Sequence, residues 1–159
     1  MENLTSTFKT DPDTGLAVDP NQIGEGQLTE EQEIYKENIL DHYQHPHNKR
    51  SIQYPSMHHT AMNPLCGDKI EVFLLIQQNG NEHVITDISF QGSGCVISQA
   101  TMSMLTEQLK NKHTHDALEM TREEIVAMLG IPIGIVRTKC AMLGLRTIQE
   151  AIQKKSEDS

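Results

Sequence analysis

The pattern of apolar and polar residues divides the chain into a patternless start and a patterned remainder. Residues 1–27 are rich in Thr, Asp, Asn, Gly and Pro and show neither helical nor strand periodicity, so we expect a largely disordered arm. A capping-box sequence at residues 29–32 then indicates a helix start, because its side chains can bond N–H groups that a helix leaves unpaired. The apolar stripe of this helix stops before Pro46 and consists of Ile34, Tyr35, Ile39, Leu40 and Tyr43. The folded domain is therefore predicted to span residues 28–155.

Strand-like patterns follow the first helix. Residues 70–77 contain a nearly continuous apolar run that is typical of a buried strand. The dipeptide Asn79-Gly80 is a strong hairpin signal, since both residues tolerate a positive φ, and residues 84–91 form the return strand. Another short strand is expected near residues 57–62. This part of the chain is therefore predicted to form about three antiparallel strands.

Helical spacing returns after the strands. The sequence Gly92-Ser93-Gly94 permits a tight turn, and a helix is predicted from there over residues 95–111. Residues 113–118 are interpreted as a connector. A short helix with its own capping box is predicted at residues 121–129, and a long amphipathic helix at residues 133–154. The order of elements predicts an α+β fold in which helices pack on one face of a small antiparallel sheet.

The charge of the chain narrows the range of partners. A formal net charge of −9 at pH 7 argues against a nucleic-acid partner, which needs clustered Lys and Arg, and against docking on anionic membranes. No apolar run approaches the roughly 20 residues needed to cross a bilayer. The N-terminus lacks the basic start and apolar stretch of a secretory signal. We therefore expect a cytoplasmic protein without a nucleic-acid or membrane partner.

The three cysteines stand at structurally special places. Cys66 lies in a turn sequence with Pro and Gly, two residues before Asp68. Cys95 is at the predicted start of a helix, where N–H groups and the helix dipole favour a thiolate. Cys140 follows two basic residues in the last helix, and their charge also favours a thiolate. An odd number of cysteines cannot all pair within one chain, so metal binding or catalysis is a natural use for these thiols.

Chemistry alone leaves two interpretations open for these residues. Three thiolates and a carboxylate could make a tetrahedral zinc site or hold an iron–sulphur cluster. The cysteines are 29 and 45 residues apart, however, and form no compact CxxC half-site. Cysteine is also among the most buried residue types, and Cys140 falls on the apolar face of its helix. An inert core cysteine is therefore an equally good interpretation of the spacing.

Four sequence motifs, which occur in a fixed order, resemble a known family. The spacing of the three cysteines alone does not show this resemblance. The motifs are LDHY at residues 40–43 with Pro46 and Asn48, NPLCGDKI at 63–70, GSGCVISQATMSML at 92–105 and VRTKCAML at 136–143. Together they closely resemble the U-type scaffolds of iron–sulphur cluster assembly, which comprise IscU, SufU and the N-terminal domain of NifU. The resemblance covers residues 28–152.

The resemblance implies a function and a division of labour. In this family the residues matching Cys66, Cys95 and Cys140 accept sulphur and bind zinc or cluster iron, and the residue matching Asp68 is a fourth ligand that helps to govern release. The implied function is a scaffold that accepts sulphur from a cysteine desulphurase, binds iron, holds a transient [2Fe–2S] cluster and passes it to acceptor apoproteins. Zn²⁺ is implied for the cluster-free form.

The chain departs from each branch of the family. Lys139 stands where IscU-like members have a histidine ligand, and residues 133–137 read Ile-Gly-Ile-Val-Arg instead of the Leu-Pro-Pro-Val-Lys segment that a specialised chaperone recognises. The resemblance therefore does not extend to that chaperone. Arg137 and Lys139 are SufU-like, but the insertion typical of SufU is absent. A non-enzymatic scaffold is the main hypothesis, and a zinc-dependent, SufU-like sulphurtransferase that relays persulphide is the alternative.

Several other polar residues have competing interpretations. Lys139 and Arg137 are candidate modulators of the Cys140 thiolate, and Lys139 could alternately form a salt bridge with Asp68; an ordinary solvated lysine is an equally good interpretation. His42 and His45 are predicted to be a helix-surface residue and a helix C-cap. The histidines of the pairs at residues 58–59 and 113–115 are predicted to be solvated surface residues and not ligands.

Overall fold

The computed structural model describes residues 9–10, 17–18, 28–64 and 67–158. Within the predicted arm, strands β1 (Lys9–Thr10) and β2 (Ala17–Val18) pair antiparallel. The remainder of the arm lies outside the described residues, so its predicted disorder stays a prediction. None of the helices in the described ranges combines the length and the hydrophobicity needed to cross a bilayer.

A three-stranded antiparallel sheet forms the centre of the fold, as predicted. Its strands are β3 (Met57–Asn63), β4 (Asp68–Asn79) and β5 (Glu82–Ser93), in the order β3-β4-β5. The hairpin turn between β4 and β5 falls on residues 80–81, one residue later than predicted, because Asn79 still pairs with Glu82. Gly80 has a φ of +65°, which a residue without a Cβ adopts at little cost.

Five helices accompany this sheet in the described part of the chain. They are α1 (Glu30–Gln44), α2 (Val96–Leu109), α3 (Thr114–Glu119), α4 (Arg122–Leu129) and α5 (Ile135–Asp158). The predicted capping box of α1 is present: the Gln32 N–H donates to the Thr29 hydroxyl at 3.1 Å, and the Thr29 N–H donates to the Gln32 side chain at 3.0 Å. The prediction of a connector at residues 113–118 is wrong, because the Asp116 carboxylate accepts the His113 N–H at 3.0 Å and caps the short helix α3.

The core lies between the sheet and the helices α2 and α5. Twelve residues of α2 are buried, and α5 contacts both β3 and β4. The sheet contributes a row of fully buried side chains on one face: Ile70, Val72, Leu74, Ile88 and Phe90. Each such side chain stabilises the fold by about 1.5–3 kcal/mol relative to exposure. Two helices that begin 39 residues apart in the sequence are thereby held against the sheet.

His42 is not a surface residue, and this prediction is wrong. Its side chain is buried in the contact between α1 and α2, and its Nδ1 lies 2.7 Å from the Ser103 hydroxyl oxygen. Burial, reinforced by the charge of nearby His47, lowers the pKa of His42. The apolar stripe of α1 did not reveal this face, because the partner on α2 is polar. His45 is the C-cap of α1, as predicted.

Replacing Gly130 by Ala should destabilise the fold more than the same replacement at a turn glycine of similar backbone conformation. Gly130 ends α4 with a φ of +77°, and a Cβ there would lie 2.3 Å from the Tyr35 ring. We expect Gly130→Ala to lower the free energy of unfolding by about 2–4 kcal/mol, the sum of backbone strain and a steric clash. Urea denaturation measures this change.

The matched control is Gly80→Ala. Gly80 has a φ of +65° but no atom within 4 Å of the added Cβ, so backbone strain of about 1–2 kcal/mol is the whole expected effect. Equal destabilisation by the two variants would contradict the proposed role of the contact between Tyr35 and Gly130.

Candidate metal centre

Asp68, Cys95 and Cys140 converge in the structure although 72 residues separate the first from the last. One ligand atom from each lies within 4.8 Å of the others. Asp68 is the first residue of β4, Cys95 is the N-cap of α2 and Cys140 lies in the second turn of α5. The packing of both helices on the sheet therefore assembles the cluster.

Cys95 takes the place of the usual hydroxyl or carboxylate at a helix N-cap. Its backbone is extended, and the Ser98 N–H donates to its sulphur at 3.5 Å. This bond pairs one of the N–H groups that the first turn of a helix leaves without a partner. The predicted helix start at Cys95 is confirmed. Since β5 runs through Ser93, however, Gly94 alone separates the strand from the cap, and the predicted three-residue turn is not formed.

The Asp68 carboxylate is fully buried and held in one orientation. Its Oδ1 accepts the Cys95 N–H at 2.9 Å, while its Oδ2 lies 3.9 Å from the Cys95 sulphur. One oxygen therefore fixes the carboxylate and the other faces the thiol cluster.

Gly94 makes the space for this carboxylate. A Cβ at residue 94 would lie 2.4 Å from Asp68 Oδ1 and 2.6 Å from the Ser98 hydroxyl oxygen. Real Cβ atoms do not approach other atoms so closely, so any side chain here would displace Asp68 or Ser98. The glycine is required by close approach of the carboxylate to the backbone.

The position of Cys140 is compatible with both interpretations that its sequence left open. Its side chain is fully buried and belongs to the main hydrophobic core. The same sulphur is also a member of the cluster with Asp68 and Cys95. Of these two thiols, that of Cys95 is the more accessible, since its side chain is partly exposed.

Cys66 lies outside the described residues, and its position in the site stays a prediction. Residues on either side of it are joined: the Gly67 N–H donates to the Asn63 carbonyl at 2.8 Å, and Asn63 pairs with Asp68 across the strands. In the sequence, Cys66 lies two residues before the buried Asp68.

The two basic candidates are placed differently from the ligands. Lys139 is exposed and makes no ion pair with any residue that the structure describes, so the predicted alternative salt bridge with Asp68 is not formed. Arg137 is partly buried. Lys139 lines a groove of about 600 Å³ together with Met62, Asn63, Pro64, Arg122, Ile133, Ile135, Thr138, Met142 and Arg146. This groove lies next to the strand end that bears Asn63 and Asp68.

The donor set suits a metal ion that accepts sulphur and oxygen. In a tetrahedral zinc site with bonds of about 2.0–2.3 Å, neighbouring ligand atoms lie roughly 3.3–3.8 Å apart. The observed separation of 3.9 Å between Cys95 Sγ and Asp68 Oδ2 needs only a small contraction. A buried carboxylate without a cationic partner among the described residues would also be stabilised by such an ion.

Comparison with known proteins agrees with the resemblance in the sequence. Residues 34–158 match the family model of the NifU-like N terminal domain. The iron–sulphur cluster assembly scaffold protein IscU of Aquifex aeolicus is 36% identical over 121 residues, covering 75% of this chain and 74% of that protein. The zinc-dependent sulphurtransferase SufU of Bacillus subtilis is 30% identical over 139 residues, covering 77% and 91%.

A solved structure gives the same result for the fold. The crystal structure of a protein assigned as an iron–sulphur cluster assembly scaffold for the SUF system in Fervidobacterium islandicum superposes with a TM-score of 0.61 at 27% identity. The match covers 76% of this chain and 98% of that one. By its family model, its relatives and its fold, this chain belongs to the NifU-like N-terminal domain family.

Proposed function

We propose that the protein is an iron–sulphur cluster assembly scaffold. It accepts sulphur from a cysteine desulphurase, binds iron, holds a transient [2Fe–2S] cluster on Cys66, Asp68, Cys95 and Cys140, and passes it to acceptor apoproteins. The observation that supports this most is the buried Asp68 carboxylate, which faces two thiols and pairs with no cation among the described residues. The names of the relatives point to the same function.

Cys95 is the better placed of the two described thiols to receive sulphur, because it is partly exposed while Cys140 is buried. Its thiolate attacks the terminal sulphur of the persulphide on the desulphurase. A new sulphur–sulphur bond forms on Cys95, the donor's sulphur–sulphur bond breaks, and the donor cysteine leaves as a thiolate. No net oxidation or reduction accompanies this transfer. The Ser98 N–H, 3.5 Å from the Cys95 sulphur, holds this sulphur at the start of α2.

Asp68 contributes a ligand that binds iron less tightly than a thiolate does. Oxygen is a harder donor than sulphur, so a cluster with one carboxylate ligand should be released more readily than one with thiolates alone. The bond from the Cys95 N–H to Oδ1 holds this ligand in position whether or not a cluster is bound.

Removal of either described thiol should prevent cluster formation. Anaerobic incubation of the full-length protein with Fe²⁺, cysteine, a cysteine desulphurase and a thiol reductant should produce the visible absorption of a [2Fe–2S] cluster. We expect Cys95→Ser and Cys140→Ser to lose at least about nine-tenths of that absorption, because a hydroxyl is a poor cluster ligand.

Ala141→Ser is the control for the effect of a buried hydroxyl group on the fold. It places a hydroxyl in the same fully buried part of α5 without removing a ligand. Its absorption should equal that of the unmodified protein. If the unmodified protein forms persulphide readily but no chromophore, the scaffold proposal is wrong.

Replacing Asp68 by Cys should slow cluster transfer. The variant supplies only thiolates to the cluster, so we expect transfer to an apo-ferredoxin to slow by several-fold. Asp68→Asn, which keeps an oxygen to accept the Cys95 N–H, serves as the comparison for the hydrogen bond. Transfer from Asp68→Cys at or above the rate of the unmodified protein would exclude a role for Asp68 in release.

A zinc-dependent sulphurtransferase is the second candidate function. It is favoured by the 30% identity to the SufU relative, whose name carries that activity, and by Lys139 beside Cys140. In this case Cys66, Asp68, Cys95 and Cys140 would hold Zn²⁺, and one thiol would leave the ion to accept sulphur. One tightly bound zinc per chain and strong stimulation of desulphurase turnover, without a chromophore, would favour it over the scaffold.

Lys139 should assist sulphur delivery through its charge. It is exposed beside the buried Cys140, where a cation attracts a thiolate or persulphide donor. We expect Lys139→Gln to slow persulphide formation about threefold at low ionic strength and to have little effect at high salt, where surface charges are screened.

Lys154→Gln is the matched control, since Lys154 is an exposed lysine on the same helix and far along it from Cys140. An equal effect of both variants would show that Lys139 acts only through net charge and has no local role.

A further inference from the structure

Two histidines and a glutamate meet at the end of α1, outside the cysteine cluster. His47 Nδ1 lies 2.9 Å from Glu107 Oε1, and His42 Nε2 lies 3.7 Å from the same oxygen. The two imidazole rings are 4.7 Å apart between centroids. One donor atom from each of the three residues lies within 4.8 Å of the others.

We propose that His42, His47 and Glu107 form a second metal site, which binds a divalent first-row transition ion such as Zn²⁺. Two imidazole nitrogens and one carboxylate oxygen are a donor set that zinc accepts, with a fourth position left for water. Tetrahedral zinc with bonds of about 2.0–2.1 Å needs ligand atoms roughly 3.4 Å apart. The distances of 2.9 and 3.7 Å lie on either side of this value.

The buried histidine is already oriented for this role. His42 Nδ1 is 2.7 Å from the Ser103 hydroxyl oxygen, which leaves Nε2 as the nitrogen that faces Glu107. A histidine ligand typically uses one ring nitrogen for the metal and the other for a hydrogen bond that fixes the ring. Ser103 supplies that bond, and burial of His42 restricts other orientations.

The second histidine is held by the backbone around it. The His47 N–H donates to the same Ser103 hydroxyl oxygen at 2.8 Å, and the Thr106 hydroxyl donates to the Ser103 carbonyl at 2.7 Å. The Asn48 side-chain amide donates to Thr106 Oγ1 at 3.0 Å. The chain leaving α1 is thus fixed on α2, one turn from Glu107, before any ion binds.

Exposure gives the site access from solvent. The side chains of His47 and Glu107 are each 46% exposed, so an ion can enter and water can fill the fourth position. A pair such as His58 and Glu71, with Nε2 and Oε2 2.6 Å apart, contributes only one imidazole and has no third ligand close by in the described part of the chain. The second imidazole distinguishes the proposed site from this ordinary ion pair.

The site is separate from the cysteine cluster and does not depend on the proposed function. Ser103 and Glu107 follow Cys95 by 8 and 12 residues along one helix. At a rise of 1.5 Å per residue they lie about 12 and 18 Å from it. An ion here would connect the end of α1 to the last turns of α2.

A titration of the full-length protein with Zn²⁺ tests the proposal, with the histidine ring signals followed by nitrogen–proton NMR. Once a first equivalent has filled the cysteine cluster, signals of His42 and His47 should change together with the next equivalent, while those of His58 remain unchanged until excess metal is present. After equilibrium dialysis, metal analysis should find one more Zn²⁺ per chain in the unmodified protein than in the Glu107→Gln and His47→Asn variants.

His58→Asn is the matched control and should bind as much zinc as the unmodified protein. Loss of the same equivalent in His58→Asn would indicate diffuse binding to surface histidines and overturn the proposal. Retention of the equivalent in Glu107→Gln and His47→Asn would also overturn it, as would ring signals of His42 and His47 that do not respond to zinc. Because none of these readouts requires sulphur or cluster transfer, failure of the scaffold proposal would leave this test intact.

Discussion

The hydrogen bond from the Cys95 N–H to the buried Asp68 carboxylate is the interaction on which the cysteine cluster depends. It joins the first residue of β4 to the cap of α2, at 2.9 Å and without exposure of the carboxylate to solvent. Removing a buried partner of this kind leaves an unpaired polar group that costs about 1–3 kcal/mol or more. The bond therefore contributes to folding and sets the position of two donor atoms at once.

Helix α2 connects this cluster to the rest of the molecule. Its N-cap bears Cys95, its middle carries Ser103, which bonds both histidines near the end of α1, and its last turns carry Glu107. Most of α2 is buried against the sheet, α1 and α5, so its ends cannot shift independently. A single buried helix thereby fixes the positions of donor atoms at two distant places.

Local signals in the sequence predicted the helices and strands well, but they predicted poorly which residues of different elements contact each other. The capping box at Thr29, the three strands and the helix start at Cys95 follow from short-range chemistry, and the structure confirms them. Helix α3 has only six residues, which is too short for apolar periodicity to reveal it. Its start depends on a single cap by Asp116. Ile34 has the spacing of a core residue yet is 68% exposed, because α1 packs through the face that includes His42. The convergence of Asp68, Cys95 and Cys140 could not be read from spacings of 27 and 45 residues; the ordered motifs pointed to it through a resemblance.

The burial of Cys140 has a consequence for the timing of its chemistry. A fully buried thiol reacts with a large partner only while the surrounding structure opens, so its rate of reaction follows the frequency of that opening. The start of α5, which carries Cys140, also carries the exposed apolar residues Ile135 and Val136, so few buried side chains hold its first turn. Fraying of these first turns would also move the Cys140 sulphur away from Asp68 and Cys95, since one ligand atom from each lies within 4.8 Å of the others. The frequency with which this helix end opens therefore limits the rate at which Cys140 can react.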